Sequence, residues 1–191
     1  MKTALISVWD KVGIVSLAHT LIENGYRILS TGGTAKHLSE HNIPLTKIAE
    51  YTGFPEIMGG RVKTLHPKIF GGILARRDNK EDIKDLERID AHTIDMVVVN
   101  LYPFSEMSKK KLPLSELLEY IDIGGVSLIR AAAKNYKDVT VLVDPQDYGK
   151  VEKYIRENKE IPTTLRKELA LKAFYTTYHY DKVIYETLSS L

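Results

Sequence analysis

Apolar positions along the first two-thirds of the chain come in two alternating patterns. Thr3–Val8, Tyr26–Ser30, Leu45–Ala49, Met96–Leu101 and Val139–Val143 are short, largely apolar runs bounded by turn signals, and each predicts a buried strand. Between them the spacing turns helical. Ile14, Val15, Leu17, Ala18, Leu21 and Ile22 fall on one face, and Thr34–His41 and Val126–Lys134 read as further helices. Gly25 stands where a helix C-cap belongs, and Asp144-Pro145 ends the last strand. Strands alternating with helices predict an α/β fold with a mostly parallel sheet covered on both faces.

After Pro162 the pattern is helical throughout. Leu165, Leu169, Ala173, Thr177, Ile184 and Leu188 recur at helical spacing, predicting one long amphipathic helix or a pair. Its aromatic residues Phe174, Tyr175, Tyr178, Tyr180 and Tyr185 read as packing side chains. No internal repeat or low-complexity linker divides the chain. Residues 1–191 are expected to form one unit, with an α/β core over 1–145 and a helical extension over 146–191.

Composition narrows the class. At 191 residues the chain is long enough for one substantial core, and 43% hydrophobic with 27% charged residues suits a soluble globular protein. The absence of cysteine excludes disulfides and thiolate chemistry. A net charge of +2 does not argue for nucleic acid, and Lys109-Lys110-Lys111 reads as a solvated run. No segment reaches the roughly 18 apolar residues of a membrane span. The N-terminus lacks the apolar run of a signal peptide, so the expectation is a cytoplasmic protein with no membrane partner.

Candidate chemistry gathers at turns. Eight of the twelve glycines form four pairs, at 32–33, 59–60, 71–72 and 124–125, suggesting tight turns or close approaches. In an open parallel sheet, ligands bind outside the carboxyl ends of the strands. Ser7, Thr31 to Thr34, and Asn100 to Tyr102 all lie at predicted ends of that kind. Thr31-Gly32-Gly33-Thr34 offers amides and hydroxyls at a helix start, suited to a phosphate or to plain capping. Gly60-Arg61-Val62-Lys63-Thr64-Leu65-His66-Pro67 gathers two cations and two further donors, which suit a nucleotide phosphate or an exposed basic loop. Asp122, between two isoleucines, is either a helix N-cap or a partly desolvated base. Lys134 either complements the dipole of the same helix or serves as an acid, if that helix returns toward Asp122. His37 and His41 share a helix face without a third ligand type and read as solvent-facing.

Taken together, seven stretches resemble one family. They are S-V-W-D-K (7–11), S-T-G-G-T (30–34), T-G-F-P-E (52–56), G-R-V-K-T-L-H-P (60–67), V-N-L-Y-P-F (99–104), I-D-I-G-G (121–125) and R-A-A-A-K-N (130–135). In order and spacing the chain resembles the N-terminal IMP cyclohydrolase half of the bifunctional purine-biosynthesis enzyme. The resemblance implies a methylglyoxal-synthase-like three-layer sandwich. It implies substrate contacts at Ser7, Trp9, Asp10, Lys11, Thr31, Gly32, Gly33, Thr34, Arg61, Val62, Thr64, Val99, Asn100, Ile123 and Gly124. Its catalytic set corresponds to Asp122 on the carboxamide nitrogen proton, Lys134 on the formyl oxygen, and Lys63 with Tyr102 as orienting groups. The implied reaction closes the formylated aminoimidazole carboxamide ribonucleotide (FAICAR) to IMP. No metal and no organic cofactor is implied, and a homodimer is.

Two positions depart from the family pattern. Trp9 stands where a second serine is usual, and its indole is expected to pack while the backbone makes the contact. Phe70 replaces a commoner histidine before Gly71-Gly72. The transformylase half is absent from the sequence. The alternative is a methylglyoxal-synthase-like regulatory module for a phosphorylated effector. That reading accounts for Thr31 to Thr34 and leaves G-R-V-K-T-L-H-P and I-D-I-G-G unexplained. A third reading, methylglyoxal synthase itself, needs an aspartate and histidine set that does not appear.

Overall fold

The computed structural model describes residues 1–110 and 112–190; Lys111, the last of the three-lysine run, and Leu191 lie outside the described residues. Five strands form one sheet: β1 (Lys2–Val8), β2 (Tyr26–Ser30), β3 (Thr46–Lys47), β4 (Met96–Asn100) and β5 (Thr140–Leu142). Their order is β3-β2-β1-β4-β5 and every pairing is parallel. Residues 4–6 of β1 and 96–98 of β4 are completely buried. Successive strand residues point to opposite faces, so both faces of the sheet are covered.

Helices supply that cover. α1 (Ile14–Glu23) and α2 (Gly32–Glu40) follow the first two strands. After β3 come α3 (Ile48–Thr52), α4 (Pro67–Leu74) and α5 (Lys80–Arg88). Beyond β4 lie α6 (Phe104–Met107), α7 (Leu114–Leu118) and α8 (Ile123–Lys134). The chain closes with α9 (Tyr148–Arg156) and α10 (Thr163–Ser189). α1 packs on β2 and α9, whereas α8 packs on β4, β5, α4 and α10. One hydrophobic cluster runs from Ala4 to Ala173 and includes Val151, Ile155 and Leu169 of the last two helices. Phe70 packs against the edge of that cluster. Among the described residues, no helix is long and apolar enough to cross a membrane.

Three local expectations are corrected. The strand expected over Leu45–Ala49 lasts only Thr46–Lys47, because Ile48 and Ala49 begin α3, where Ile48 turns into the core. Of the two readings of Gly71-Gly72, the turn fails, since the pair lies inside α4, and the close approach holds. A β-carbon on Gly72 would stand 2.5 Å from the His92 carbonyl oxygen, so glycine there permits close packing. The aromatic residues of α10 divide. Tyr175, Tyr178 and Tyr185 are 65%, 62% and 73% exposed, with Tyr175 meeting Tyr178 and His179 on the helix surface, whereas Tyr180 turns inward.

Candidate active site

β2, β1 and β4 are adjacent, and their register sets Ile6 beside Ser30 and Val8 beside Asn100. Their carboxyl ends therefore open side by side, and three loops leave from them. The Thr34 hydroxyl stitches the first two together: it donates to the Val8 carbonyl at 2.9 Å and accepts from the Val8 amide at 3.0 Å. Asn100 joins the third. Its Oδ1 accepts from the amides of Trp9 at 2.6 Å and Asp10 at 2.9 Å, and its Nδ2 donates to the Asp10 carbonyl at 3.0 Å. The Trp9 ring meets Tyr102 edge to face, with centroids 5.1 Å apart, and is half exposed.

The segment after α3 brings the cations. A single antiparallel bridge between Ile57 and Val62 folds it back on itself. Lys63 is thereby carried over the glycine turn: a β-carbon on Gly32 would stand 3.6 Å from its Nζ. Gly32 has a left-handed backbone, φ +55°, at the start of α2. The first amides of a helix have no intrahelical acceptor and favour an anion. Glu56 lies beside this turn and accepts a 2.5 Å hydrogen bond from the Thr31 hydroxyl. Arg61 is paired with Glu119 at 3.2 Å in an exposed position. Lys11 donates to the Val8 and Trp9 carbonyls, and burial lowers its pKa against the nearby charge of Asp10.

α8 supplies the carboxylate. Asp122 is its N-cap, with Oδ1 accepting from the Gly125 amide at 2.7 Å. Burial pushes the Asp122 carboxyl above its ordinary range, opposed by that amide and by the positive charge of Lys63. The helix start is closely fitted. A β-carbon on Gly124 would stand 2.8 Å from the Thr64 hydroxyl, and one on Gly125 would press on Asp122 itself. The glycine pair thus lets the loops carrying Lys63 and Asp122 meet.

The sequence-based set is gathered in part. Thr64 meets Gly124 beside Asp122, the Gly32 turn meets Lys63, and the Lys63 charge acts on Asp122. Trp9 and Tyr102 form a pair at the neighbouring strand ends, and Ser7 sits at the end of β1. Val99 is buried in the core, so only its backbone is available, and the Ile123 side chain is exposed. The hydroxyls of Thr31 and Thr34, and the Asn100 amide, hold protein rather than standing free. Lys134 is not with Asp122. α8 does not turn back, and its twelve residues separate the two by about 18 Å at 1.5 Å per residue. Lys134 lies exposed in a polar groove with Arg76, Asp78, Asp82 and Asp138. The condition set for its acid role, that the helix return, is not met. Glu56 carries no role in the sequence reading, and Tyr180 only that of a packing side chain. Glu56 was legible only as a member of T-G-F-P-E, and Tyr180 only as one of the packing aromatics of the last helix.

A parallel sheet of this order, with polar loops gathered at the carboxyl ends of its central strands, defines the class: an open-sheet α/β domain. Residues 13–127 match the sequence model of the MGS-like domain, and residues 132–191 match that of the AICARFT/IMPCHase bienzyme. The chain belongs to the MGS-like domain family. It is 52% identical to the bifunctional purine biosynthesis protein PurH of Persephonella marina over 188 residues, covering 98% of this chain and 36% of that protein. With PurH of Thermoanaerobacter sp. it shares 55% identity over 188 residues, covering 98% and 37%. The chain thus spans just over a third of the length of these curated relatives. The crystal structure of ForH matches the fold with a TM-score of 0.86 at 34% identity, covering 98% of both chains.

Proposed function

We propose that this chain is an IMP cyclohydrolase, closing FAICAR to IMP with loss of water. It would belong to the enzymes acting on cyclic amidines, run in the direction of ring closure. The observation that carries this reading is Lys63, whose ammonium lies over the Gly32 turn and bears on the partly desolvated Asp122. One cation thus links an anion-favouring helix start to a carboxylate of raised proton affinity. The PurH relatives and the AICARFT/IMPCHase match support the same reading.

In the proposed reaction the first amides of α2 hold the 5′-phosphate. Trp9 and Tyr102 flank the imidazole. The carboxamide nitrogen attacks the formyl carbon, forming the C–N bond, while Asp122 takes the nitrogen proton. Lys63, in place of Lys134, supplies a proton to the developing oxyanion. Asp122 then returns its proton to the departing hydroxyl, the formamide nitrogen gives its own proton to the neutral Lys63 amine, and the C–O bond breaks, so the formyl oxygen leaves as water and both side chains regain their starting states. Holding the two groups of one substrate in contact supplies several kcal/mol, of the order of intramolecular closures generally. The same proposal includes a homodimer and a cytoplasmic setting.

Ring closure changes the ultraviolet chromophore. The purified chain is expected to convert FAICAR to IMP in excess chelator and without folate, and to leave the unformylated precursor unchanged. Verified substrate that yields no IMP would contradict the reading.

A further inference from the structure

We infer that Tyr180, on the C-terminal helix, is a positioning residue that holds the Asp122 loop in register for catalysis. This rests on the cyclohydrolase reading. The Tyr180 hydroxyl donates to the Tyr120 carbonyl at 2.8 Å and accepts from the Asp122 amide at 2.9 Å. One oxygen therefore ties together the two residues that flank Ile121. The Asp122 carboxylate is separately tied to the Gly125 amide at 2.7 Å. Main chain and side chain of the same residue are thus fixed from two different helices.

The ring does a second job. It meets Phe104 at 6.4 Å between centroids, 69° from coplanar, and Phe104 is 1% exposed two residues after Tyr102. A single side chain of α10 consequently touches both loops that bring Tyr102 and Asp122 to the cleft. Packing alone needs only the ring, and phenylalanine would serve. The hydroxyl, used at once as donor and acceptor, answers the loop instead. Burial, with the negative charge of Asp122 nearby, pushes the phenol up to about 12, so it keeps the proton it donates at neutral pH. The other tyrosines of the helix point outward, Tyr178 among them at 62% exposure.

Tyr180→Phe keeps the ring and deletes the two hydrogen bonds. Loosening a reacting group by an ångström costs up to about 100-fold in rate. Expected for Tyr180→Phe is a fall in kcat of about 10- to 100-fold, with KM changed less than about twofold. In an Asp122→Asn background the same change should cost nothing further, because the residue acts through Asp122. Phe104→Leu serves as the packing control: it loosens the helix contact and leaves the hydroxyl in place. It should lower Tm at least as much, and kcat much less. All variants are assayed well below their melting temperatures. Wild-type protein that forms no IMP would overturn the cyclohydrolase reading and this inference together. Wild-type turnover with an unimpaired Tyr180→Phe variant would overturn the positioning role alone. So would an equal loss in the Asp122→Asn background, or a kcat loss in Phe104→Leu that matches Tyr180→Phe.

Discussion

Asn100 grips the backbone of Asp10 from both sides, accepting from its amide at 2.9 Å and donating to its carbonyl at 3.0 Å. A residue read from the sequence as a substrate contact is therefore first a clamp on the loop after β1. Asn100→Ala removes three hydrogen bonds to backbone, since the Trp9 amide is bound as well, and leaves those exposed groups to water. The expected cost is about 0.5–1.5 kcal/mol of stability, because the freed groups are exposed to water. Weaker IMP binding should accompany it as the loop loosens. Thermal melting and calorimetric titration check both, and an unchanged Tm would contradict the clamp.

Trp9 was expected to pack, and it is 50% exposed with its ring against Tyr102. A fully buried tryptophan would cost several kcal/mol on truncation, whereas an edge-to-face aromatic pair contributes about 0.5–1.5 kcal/mol. Trp9→Ser should therefore melt only slightly lower and raise KM several-fold by releasing Tyr102. A large drop in Tm with unaltered KM would return Trp9 to a packing role.

Lys134 sits at the far end of α8 from Asp122. Lys134→Gln is expected to leave kcat within about threefold and to cost about 0.3–1 kcal/mol of stability from the lost helix-dipole partner. Steady-state kinetics beside a melting curve decides this. A 100-fold loss in a folded protein would mean that Lys134 reaches a cleft by a route outside one chain.

These corrections mark where sequence reading stops. β1, β2 and β4 were legible because buried parallel strands are nearly continuous apolar runs. β3 was legible as a strand but not in its bounds, because Ile48 and Ala49 supply the same apolar signal to a short helix. At Gly71-Gly72 the sequence left a turn and a close approach open, because it does not reveal which neighbour lies against the glycine. The site was legible as a set of strand-end loops, and of the two readings of Asp122, cap and base, the cap is seen in the structure. The partners that hold it were not legible. The Tyr180 contact spans 58 positions, and no local pattern encodes it.

The raised proton affinity of Asp122 has two consequences with opposite uses. A base must be ionised, so kcat should fall as pH drops through a value above the ordinary aspartate range, on the acid side of the profile. For stability, a carboxyl that binds its proton more tightly when folded favours the folded state at low pH. That contribution is lost as pH rises from the unfolded pKa through the folded one. Asp122→Asn should abolish both effects. An acid limb that persists unchanged in the residual activity of that variant would assign it to another group.

Turnover by Asp122→Asn, read beside its melting curve and its affinity for IMP, tests the central claim most directly. Asparagine caps a helix about as well as aspartate and buries no charge, so the variant should melt no lower than wild type at neutral pH. It should still bind IMP. The expected result is a loss of kcat of about 100-fold or more. Near-normal kcat in a folded, IMP-binding variant would contradict the claim, leaving Asp122 a helix cap and the cleft without its base.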